Sequence, residues 1–503
     1  MTNQNLKKIL IVGGGTAGWM SAAVLLHSLG KSYQIALIES DEISTVGVGE
    51  ATIPSIIEFN KLIGIDENDF IRETQATFKL GIQFKNWGDI GDSYIHGFGG
   101  MGHQTGLVDF YHYWLKMHKA GKVDNLDDYS INLLACHYNK FTRASNQVAN
   151  SPLADIRHAF HFDAGLYAKY LRKYCEKLGV VRTEGKITRV NTRPENGFVS
   201  SVTMENGSTH EADLFIDCSG FRGLLIEQTL HTGYDDWSHW LPCDSALAVP
   251  CESTSPLLPY TRSTAHSAGW QWRIPLQHRI GNGHVFSSKF MNAEEASRIL
   301  MNNLDGKALA DPRLIKFTTG KRKQFWNKNV VAIGLASGFM EPLESTSIHL
   351  VQQGIVRLVE LFPNENFDQA DIDEYNRQCT SEFEHIRDFI ILHYCATKRT
   401  DSDFWRYCGS MPLPDTLKNK INLFQSNGRI FRASADLFGE SSWLQVLLGQ
   451  GIVPNGHHPL VENTPVDQIE KLIVNVKAVM HNTVKRMPTH EAFIAANCKA
   501  TNP

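Results

Sequence analysis

The sequence lacks long basic runs, paired-cysteine motifs and long apolar stretches, and each absence excludes a class of protein. The formal net charge is −4 and no run of five or more Lys and Arg residues occurs, so we expect no nucleic-acid partner. No segment approaches the roughly 20 uninterrupted apolar residues of a membrane-spanning helix, so we expect no membrane insertion.

The nine cysteines are scattered, without any Cys-x-x-Cys pair or histidine-rich neighbour. This spacing favours neither a zinc site nor a disulfide framework, and we predict no bound metal. An odd number of scattered thiols is typical of a cytoplasmic protein. The 503 residues, of which 42% are hydrophobic and 20% charged, have the composition of a globular protein with more than one domain.

A glycine-rich segment near the start of the chain has the pattern of a dinucleotide-binding turn. Ile9 to Val12 predicts a buried strand, Ala17 to Leu29 a helix, and Gln34 to Glu39 the second strand of a βαβ unit. Between strand and helix, the pattern Gly-x-Gly-x-x-Gly permits a tight turn and lets a pyrophosphate approach the backbone. The predicted cofactor contacts in this turn are Gly13, Gly14, Gly15, Thr16, Ala17 and Gly18. Glu39, about 20 residues further on, is placed to accept the ribose hydroxyls of an ADP moiety.

Two later segments favour FAD over NAD as this cofactor. "ADLFIDCSG" (Ala212 to Gly220) and "VVAIGLASGF" (Val331 to Phe339) resemble the second and third flavin-contacting segments of FAD-dependent proteins of the monooxygenase type. Flavin hydroxylases of that architecture usually carry Gly-Asp where this chain has Gly334-Leu335. We therefore expect the flavin to be bound in surroundings that differ from those in a hydroxylase.

The predicted fold class is α/β, a Rossmann-like FAD-binding domain of the monooxygenase (GR2) type with an added, mostly helical C-terminal substrate region. We predict the FAD-binding core, with interleaved substrate-side segments, over residues 1–350 and the helical region packed on it over 351–503. In that region Thr464, Pro465 and Asp467 predict the start of a helix with one apolar face.

Four separated motifs make the chain similar to the flavin-dependent tryptophan halogenases over nearly its whole length. They are "GGGTAGW" (Gly13 to Trp19) followed by "GVGEATIP" (Gly47 to Pro54), "ATFKLGI" around Lys79, "GWQWRIP" (Gly269 to Pro275) and "FMEPLESTSI" (Phe339 to Ile348). The lysine, the W-x-W-x-I-P run and the Pro-Leu-Glu-Ser-Thr run together are specific to that family. The resemblance implies that FAD, used as FADH2, converts O2 and chloride or bromide to hypohalous acid. This oxidant would travel through a tunnel to the lysine and halogenate an aromatic substrate.

The resemblance also implies roles for individual residues. Lys79 would hydrogen-bond the hypohalous acid or form a haloamine, and Glu344 would stabilise the cationic ring intermediate, accept its proton, or both. Thr346 and Ser347 would bind the halide through their backbone N–H groups. The family usually has glycine at the second of these positions. If that glycine has positive φ, Ser347 would be strained or would tilt the amide, and we hypothesise that the altered pocket favours bromide.

Further residues are implied to line the cofactor and substrate sites. Additional FAD contacts would be Ala51, Ile187, Leu335 and Ile348. The wall between flavin and substrate would include Trp270, Trp272 and Ser345. Substrate contacts would be His96, Phe98, Glu344 and Trp443. Enzymes that take free tryptophan carry paired tyrosines near the equivalent of Trp443, which this chain lacks, so indole or a substituted indole is as plausible a substrate as tryptophan.

Two alternative functions stay open. A flavin monooxygenase that hydroxylates an aromatic substrate is disfavoured by Lys79, by the W-x-W-x-I-P run and by the missing Gly-Asp. A flavin-binding protein without catalytic activity is disfavoured by the presence of both Lys79 and Glu344. Since no second nucleotide fingerprint has the proper context, we expect a separate NAD(P)H-dependent flavin reductase to supply FADH2. Whether the protein forms a homodimer is left open.

Overall fold

The computed structural model describes residues 6–42, 49–102, 106–123, 125–147, 151–432 and 436–501. The chain divides into two compact units. Unit 1 comprises Met1–Ala76, Phe162–Asp244 and Lys316–Glu384, and unit 2 comprises Thr77–His161, Ser245–Ile315 and His385–Pro503. Each unit is assembled from three separated segments: strands from the three segments of unit 1 pair in one sheet, whereas in unit 2 two segments supply the strands and His385–Pro503 supplies helices. The predicted division at residue 350 stays a prediction.

The strands and helices of the described residues are numbered in chain order. The strands are β1 (Lys8–Val12), β2 (Gln34–Glu39), β3 (Gly49–Ala51), β4 (Thr77–Lys79), β5 (Gly81–Lys85), β6 (Ser93–Gly97), β7 (Ala159–Asp163), β8 (Val181–Glu184), β9 (Ile187–Thr192), β10 (Val199–Met204), β11 (Thr209–Glu211), β12 (Leu214–Asp217), β13 (Tyr234–Asp236), β14 (Ser245–Glu252), β15 (Tyr260–His266), β16 (Gly269–Pro275), β17 (Arg279–Phe286), β18 (Arg313–Lys316), β19 (Gly320–Arg322), β20 (Trp326–Asn327), β21 (Val330–Ala332) and β22 (Gly338–Phe339). The helices are α1 (Thr16–Leu29), α2 (Ser55–Leu62), α3 (Glu67–Glu73), α4 (Phe110–Lys119), α5 (Ile131–His137), α6 (Ala164–Lys177), α7 (Ala293–Asn302), α8 (Ser347–Glu360), α9 (Gln369–Cys395), α10 (Asp403–Ser410), α11 (Asp415–Asn427), α12 (Glu440–Gly449), α13 (Val466–Lys485) and α14 (His490–Asn497).

Unit 1 is built on a six-stranded sheet in the order β20-β21-β12-β1-β2-β8. β1 pairs in parallel with β2 and with β12, so the predicted strand, helix and strand of the βαβ unit are confirmed. β21 and β8 extend the parallel region on its two sides. α1 packs against α6 and α8. The apolar side chains of these strands form a buried core because parallel strands are covered on both faces.

Unit 2 is built on a seven-stranded sheet in the order β18-β14-β17-β16-β15-β5-β6. β16 and β17 pair in antiparallel fashion, while β5 joins β15 in parallel. The short strand β4 pairs with β7, which places Lys79 opposite Ala159. α12 packs on β6, and α7 packs on β14 and β17.

The predicted α/β class and the helical end of the chain are confirmed. Within the described residues after 350, the regular elements are helices α8 to α14. α13 begins at Val466, directly after Pro465, as the sequence predicts. All nine cysteines are free thiols. Among the residues that the structure describes, none of the helices combines the length and apolar character needed to cross a membrane.

Candidate active site

The glycine-rich turn of unit 1 has the geometry that a dinucleotide needs. Gly13 has φ of +113°, a value that favours glycine, and a Cβ at this position would lie 2.2 Å from the carbonyl oxygen of Cys218. A Cβ at Gly18 would lie 1.8 Å from the carbonyl oxygen of Gly13. The N-terminus of the 14-residue helix α1 follows this narrow turn, so its backbone N–H groups are available to a pyrophosphate. The residues present therefore fit the dinucleotide half of FAD.

Glu39, at the end of β2, lies against this turn. A Cβ at Gly14 would lie 2.5 Å from the Cβ of Glu39, which cannot move without the backbone, and this explains the need for glycine there. Its Oε1 atom accepts a hydrogen bond of 2.5 Å from Nε of Arg182 and lies 3.5 Å from Nη1 of Arg172. These arginines fix the orientation of the carboxylate, which retains further acceptor capacity. The ribose-binding role of Glu39 stays a prediction.

The two later flavin segments meet the glycine-rich turn within unit 1. The Cys218 carbonyl, just beyond β12, contacts Gly13, and a Cβ at Gly334, just beyond β21, would lie 2.8 Å from that of Ala17. Leu335 is half-buried beside this contact. The residues Ala51, Ile187 and Ile348 lie in β3, β9 and α8 respectively. Ile187 packs against the core cluster of the main sheet, which gives it a structural role as well.

The "GVGEATIP" segment is described from Gly49 onward, and Gly47 and Val48 lie outside the described residues. Its Glu50 received no role from the sequence, although the motif contains it. Burial raises the pKa of the Glu50 carboxyl to about 7. A carboxyl that titrates near neutral pH is typical of functional sites.

The "PLESTSI" segment of unit 1 is a tight turn that leads into α8. Glu344 ends a short 3-10 turn and is 1% exposed, and Thr346 immediately precedes the helix. The first N–H groups of a helix have no partner within it, so this end of α8 is suited to an anion.

The residue with positive φ in this turn differs from the one that the sequence suggests. From the family's glycine at this position, the sequence suggests a positive φ, and hence backbone strain, at Ser347. Ser347 is instead the first residue of α8 and has helical backbone geometry. Ser345 is the residue with positive φ, +59°, because the chain reverses between the 3-10 turn and the helix. The strain that the sequence suggested therefore lies two residues earlier.

Lys79, the predicted halogen carrier, is completely buried in unit 2. It ends strand β4, and its Nζ atom lies 5.3 Å from the centroid of the Phe98 ring. A cation at this distance from an aromatic face is stabilised by the ring. Burial of an ammonium group is costly, so proteins rarely bury lysine without a specific reason.

A buried hydrogen-bond chain holds β4 in place, and no pattern in the sequence indicates it. Thr77 Oγ1 donates to the Pro275 carbonyl at 2.7 Å, so it accepts from Nδ1 of His161 at 3.0 Å. Nε2 of His161 then accepts from Thr261 Oγ1 at 2.9 Å. Burial and the nearby positive charge of Lys79 hold the pKa of His161 well below its ordinary value. This neutral histidine fixes the strand that carries Lys79.

The predicted substrate residues His96 and Trp443 share one aromatic cluster in unit 2. The ring of Phe389 lies 5.6 Å from His96 and 5.0 Å from Trp443 and stacks on Phe438 at 3.8 Å. Gln445, on the helix of Trp443, bonds both backbone groups of Gly97, which joins α12 to β6 beside Phe98. The sequence did not single out Phe389 and Phe438, which come from distant segments.

The predicted wall residues Trp270 and Trp272 lie on one face of β16 and are both buried. Their ring centroids are 6.2 Å apart, and Trp270 also contacts Trp87. A Cβ at Gly283 would lie 2.1 Å from the Trp272 ring, so this glycine makes room for the indole. Both tryptophans are thus core residues of unit 2, and their role as a wall stays a prediction.

Comparison with known proteins agrees with this set of features. A family model described as Tryptophan halogenase matches residues 8–466. Tryptophan 7-halogenase RebH of Lentzea aerocolonigenes is 33% identical over 530 residues, covering 97% of this chain and 98% of the relative. The solved structure of Xcc4156, a flavin-dependent halogenase from Xanthomonas campestris, is 48% identical with a TM-score of 0.96 and covers 99% of this chain and 100% of that one. BrvH, a flavin-dependent halogenase from Brevundimonas sp. BAL3, is 45% identical with a TM-score of 0.94 and covers 98% of this chain and 99% of that one.

The fold and these matches define the class, which is that of flavin-dependent halogenases, and the protein is an enzyme of this class. More specifically, the chain belongs to the tryptophan halogenase family.

Proposed function

We propose that the protein is an FADH2-dependent halogenase of an indole-type aromatic, namely indole, a substituted indole or tryptophan, with Lys79 and Glu344 as catalytic residues. The observation that carries the proposal is the complete burial of Lys79 beside the ring of Phe98. A charged amine kept out of water at high cost has a functional reason. Membership of the family supports handling of the halogen as that reason.

FAD is the cofactor that unit 1 fits. The glycine turn and α1 would hold its pyrophosphate, Glu39 its ribose, and the segments after β12 and β21 its flavin. Reduced FAD supplies, with O2, the oxidising power that converts a halide ion to hypohalous acid. A separate NAD(P)H-dependent reductase would deliver FADH2, since the sequence has a single glycine fingerprint in strand–turn–helix context.

Lys79 and Glu344 would divide the chemistry between them. The Lys79 amine would hold hypohalous acid by a hydrogen bond, or react with it so that an N–halogen bond forms and water leaves. The halogen then bonds to one ring carbon as its bond to oxygen or nitrogen breaks, and the group left behind takes up a proton to become water or the Lys79 amine. The buried Glu344 carboxylate takes the proton that this carbon loses. Fixing the electrophile over one carbon makes regiochemistry a matter of position.

The aromatic cluster of unit 2 supports an aromatic substrate. His96, Phe389, Phe438 and Trp443 present ring faces and edges that favour stacking with an indole. The ammonium of Lys420 lies 4.9 Å from the centroid of the Trp443 ring and is paired with Asp436. This environment suits an indole without requiring the carboxylate of an amino acid.

A product screen tests the proposed function. The protein, FAD and an independent flavin reductase are incubated in air with indole, tryptophan or a phenol and with each halide, and products are read by mass spectrometry. We expect a halogenated product that depends on the halide, and the same product with photochemically reduced FAD and no reductase. Addition of oxygen without halogen under saturating bromide and chloride would identify a hydroxylase and refute the proposal.

The halide preference is a separate prediction, centred on Ser347. Because Ser347 has a helical conformation, its backbone is not strained. Its half-buried side chain nevertheless lies beside the backbone amides that would bind the halide. Bromide is larger and more easily oxidised than chloride, so we propose that the enzyme prefers bromide.

In equal mixtures of the two halides, brominated product should dominate. Ser347→Gly should move the product ratio toward chloride by about fivefold, which corresponds to about 1 kcal/mol. Predominant chlorination by the unmodified protein would contradict the preference.

A further inference from the structure

A buried hydrogen-bond network in unit 1 joins the first turn of α8 to two other helices. Nδ1 of His349 lies 3.0 Å from Oγ of Ser55, the first residue of α2, and Nε2 lies 2.9 Å from Oε1 of Glu382 in α9. Ser55 Oγ is also 2.9 Å from Oε1 of Gln352, one turn further along α8. The other oxygen of Glu382 is 3.1 Å from Nη2 of Arg357. These five side chains therefore tie three helices together.

The chemistry of Glu382 determines how the network is wired. Burial alone would raise the pKa of its carboxyl, but hydrogen bonds and charges from His349 and Arg357 outweigh burial and hold that pKa below its ordinary value. Glu382 is thus a carboxylate and can only accept hydrogen bonds. Since it has no proton to give, Nε2 of His349 must carry one and donate it.

The remaining nitrogen of His349 can be satisfied in either protonation state. If Nδ1 is protonated, it donates to Ser55, whose hydroxyl donates to Gln352 Oε1 in the arrangement found. If Nδ1 is not protonated, Ser55 donates to it, and the Gln352 amide, turned by 180°, donates to Ser55. Both ring nitrogens of His349 keep their hydrogen bonds in either case, so the network holds His349 in one orientation.

The network joins the turn that would bind the halide to the segment that ends at Pro54. His349 follows Ser347 by two residues and belongs to the same first turn of α8. Ser55 directly follows the "GVGEATIP" segment, whose Ile53 and Pro54 lead into α2. Buried groups in such networks have little freedom to move, because a broken hydrogen bond leaves a polar group without a partner.

We infer that His349 is a positioning residue for the halide, which rests on the proposed function. By bonding Ser55 on one side and Glu382 on the other, it fixes the first turn of α8. The backbone N–H groups of Thr346 and Ser347 are then held in one orientation toward the ion. Donors fixed in advance bind an anion more strongly than mobile ones, because no reorganisation is needed on binding.

Variants of His349 separate its two hydrogen bonds. His349→Asn keeps a polar group near Nδ1 and so the bond to Ser55, whereas His349→Gln keeps one near Nε2 and so the bond to Glu382. His349→Leu removes both. We expect the KM for bromide to rise by about tenfold in H349L, the loss typical when a group that orients binding groups is removed. H349N and H349Q should fall between H349L and the unmodified protein, with kcat at saturating bromide less affected.

Tyr375→Phe is the matched control. The Tyr375 hydroxyl is buried and donates to the Gly354 carbonyl at 3.0 Å, so it also joins α9 to α8, but away from the first turn. Its loss should lower the thermal midpoint and leave the KM for bromide unchanged. Equal rises in that KM for H349L and Y375F, or a KM in H349L within twofold of the original, would overturn the inference and leave the proposed function intact.

A second measurement does not depend on turnover. Crystals of the unmodified protein and of H349Q, soaked in sodium bromide, report bromide occupancy at the start of α8 through anomalous scattering. We expect clear occupancy in the first and reduced occupancy in the second. Occupancy that is equal in both would refute the positioning role. If bromide binds at the start of α8 but the product screen yields no halogenated product, the proposed function is refuted and the inference about His349 is retained.

Discussion

Replacement of Lys79 with methionine should abolish halogenation while the protein still folds and binds FAD. Methionine has nearly the length of lysine without its charge, so the fully buried site would keep its packing. The halogen, in contrast, loses the group that holds it over the ring. Since positioning of a reactant is worth many orders of magnitude, we expect a fall of at least about 10³-fold in kcat/KM.

The measurement pairs product formation with thermal unfolding and FAD binding in the same samples. Lys85→Met is the matched control, because Lys85 lies on β5, the next strand along the chain, and its side chain is exposed. It should change neither activity nor the Kd for FAD. In K79M, FAD binding should persist because the residues that fit the dinucleotide lie in unit 1. Halogenation by K79M at more than a tenth of the original rate would rule out Lys79 as the halogen carrier.

The local part of the fold could be predicted from the sequence because its signals are local. Strand β1, helix α1 and strand β2 follow from an apolar run, a glycine pattern and a second apolar run within about 30 residues. The requirement for glycine at positions 13 and 18 also follows from close backbone contacts that the pattern itself implies.

The substrate cluster and the network around His349 could not be predicted in this way. Phe389 and Glu382 lie on the long helix α9, where the sequence shows only helical periodicity. Trp443, which contacts Phe389, and Ser55, which is linked to Glu382 through His349, are separated from them by dozens to hundreds of residues. Only tertiary packing brings these residues together. The units themselves are built from separated segments for the same reason.

The turn before α8 shows a more specific limit. A departure from the family's glycine at Ser347 drew attention to backbone strain, but a sequence gives residue types and not torsion angles. The structure places positive φ at Ser345 instead, where a 3-10 turn reverses into the helix. The choice between these two serines depended on where the helix starts, which is the least certain feature of a sequence-based prediction.

Glu344→Gln should reduce kcat by about 10² to 10³-fold while leaving the KM for the aromatic substrate nearly unchanged. The amide has the size of the carboxylate, so the buried side chain keeps its place. It carries no negative charge to stabilise a cationic ring and is too weak a base to accept the ring proton. Both effects act after the substrate is bound, and so they lower kcat.

A hydrogen isotope effect separates the two roles of Glu344. In the unmodified protein we expect addition of the halogen to be slow and loss of the ring proton to be fast, so ring-deuterated indole should react at nearly the normal rate. If Glu344 is the base, proton loss becomes slow in E344Q, and ring deuteration should then slow the reaction severalfold. A lowered kcat without an isotope effect would restrict Glu344 to stabilising the cation.

Two further variants test the assignment of this role to Glu344. Glu360 is exposed at the end of α8, so Glu360→Gln should leave kcat unchanged. If Glu341→Gln loses halogenation while E344Q keeps it, the role belongs to Glu341, the other buried glutamate of this segment.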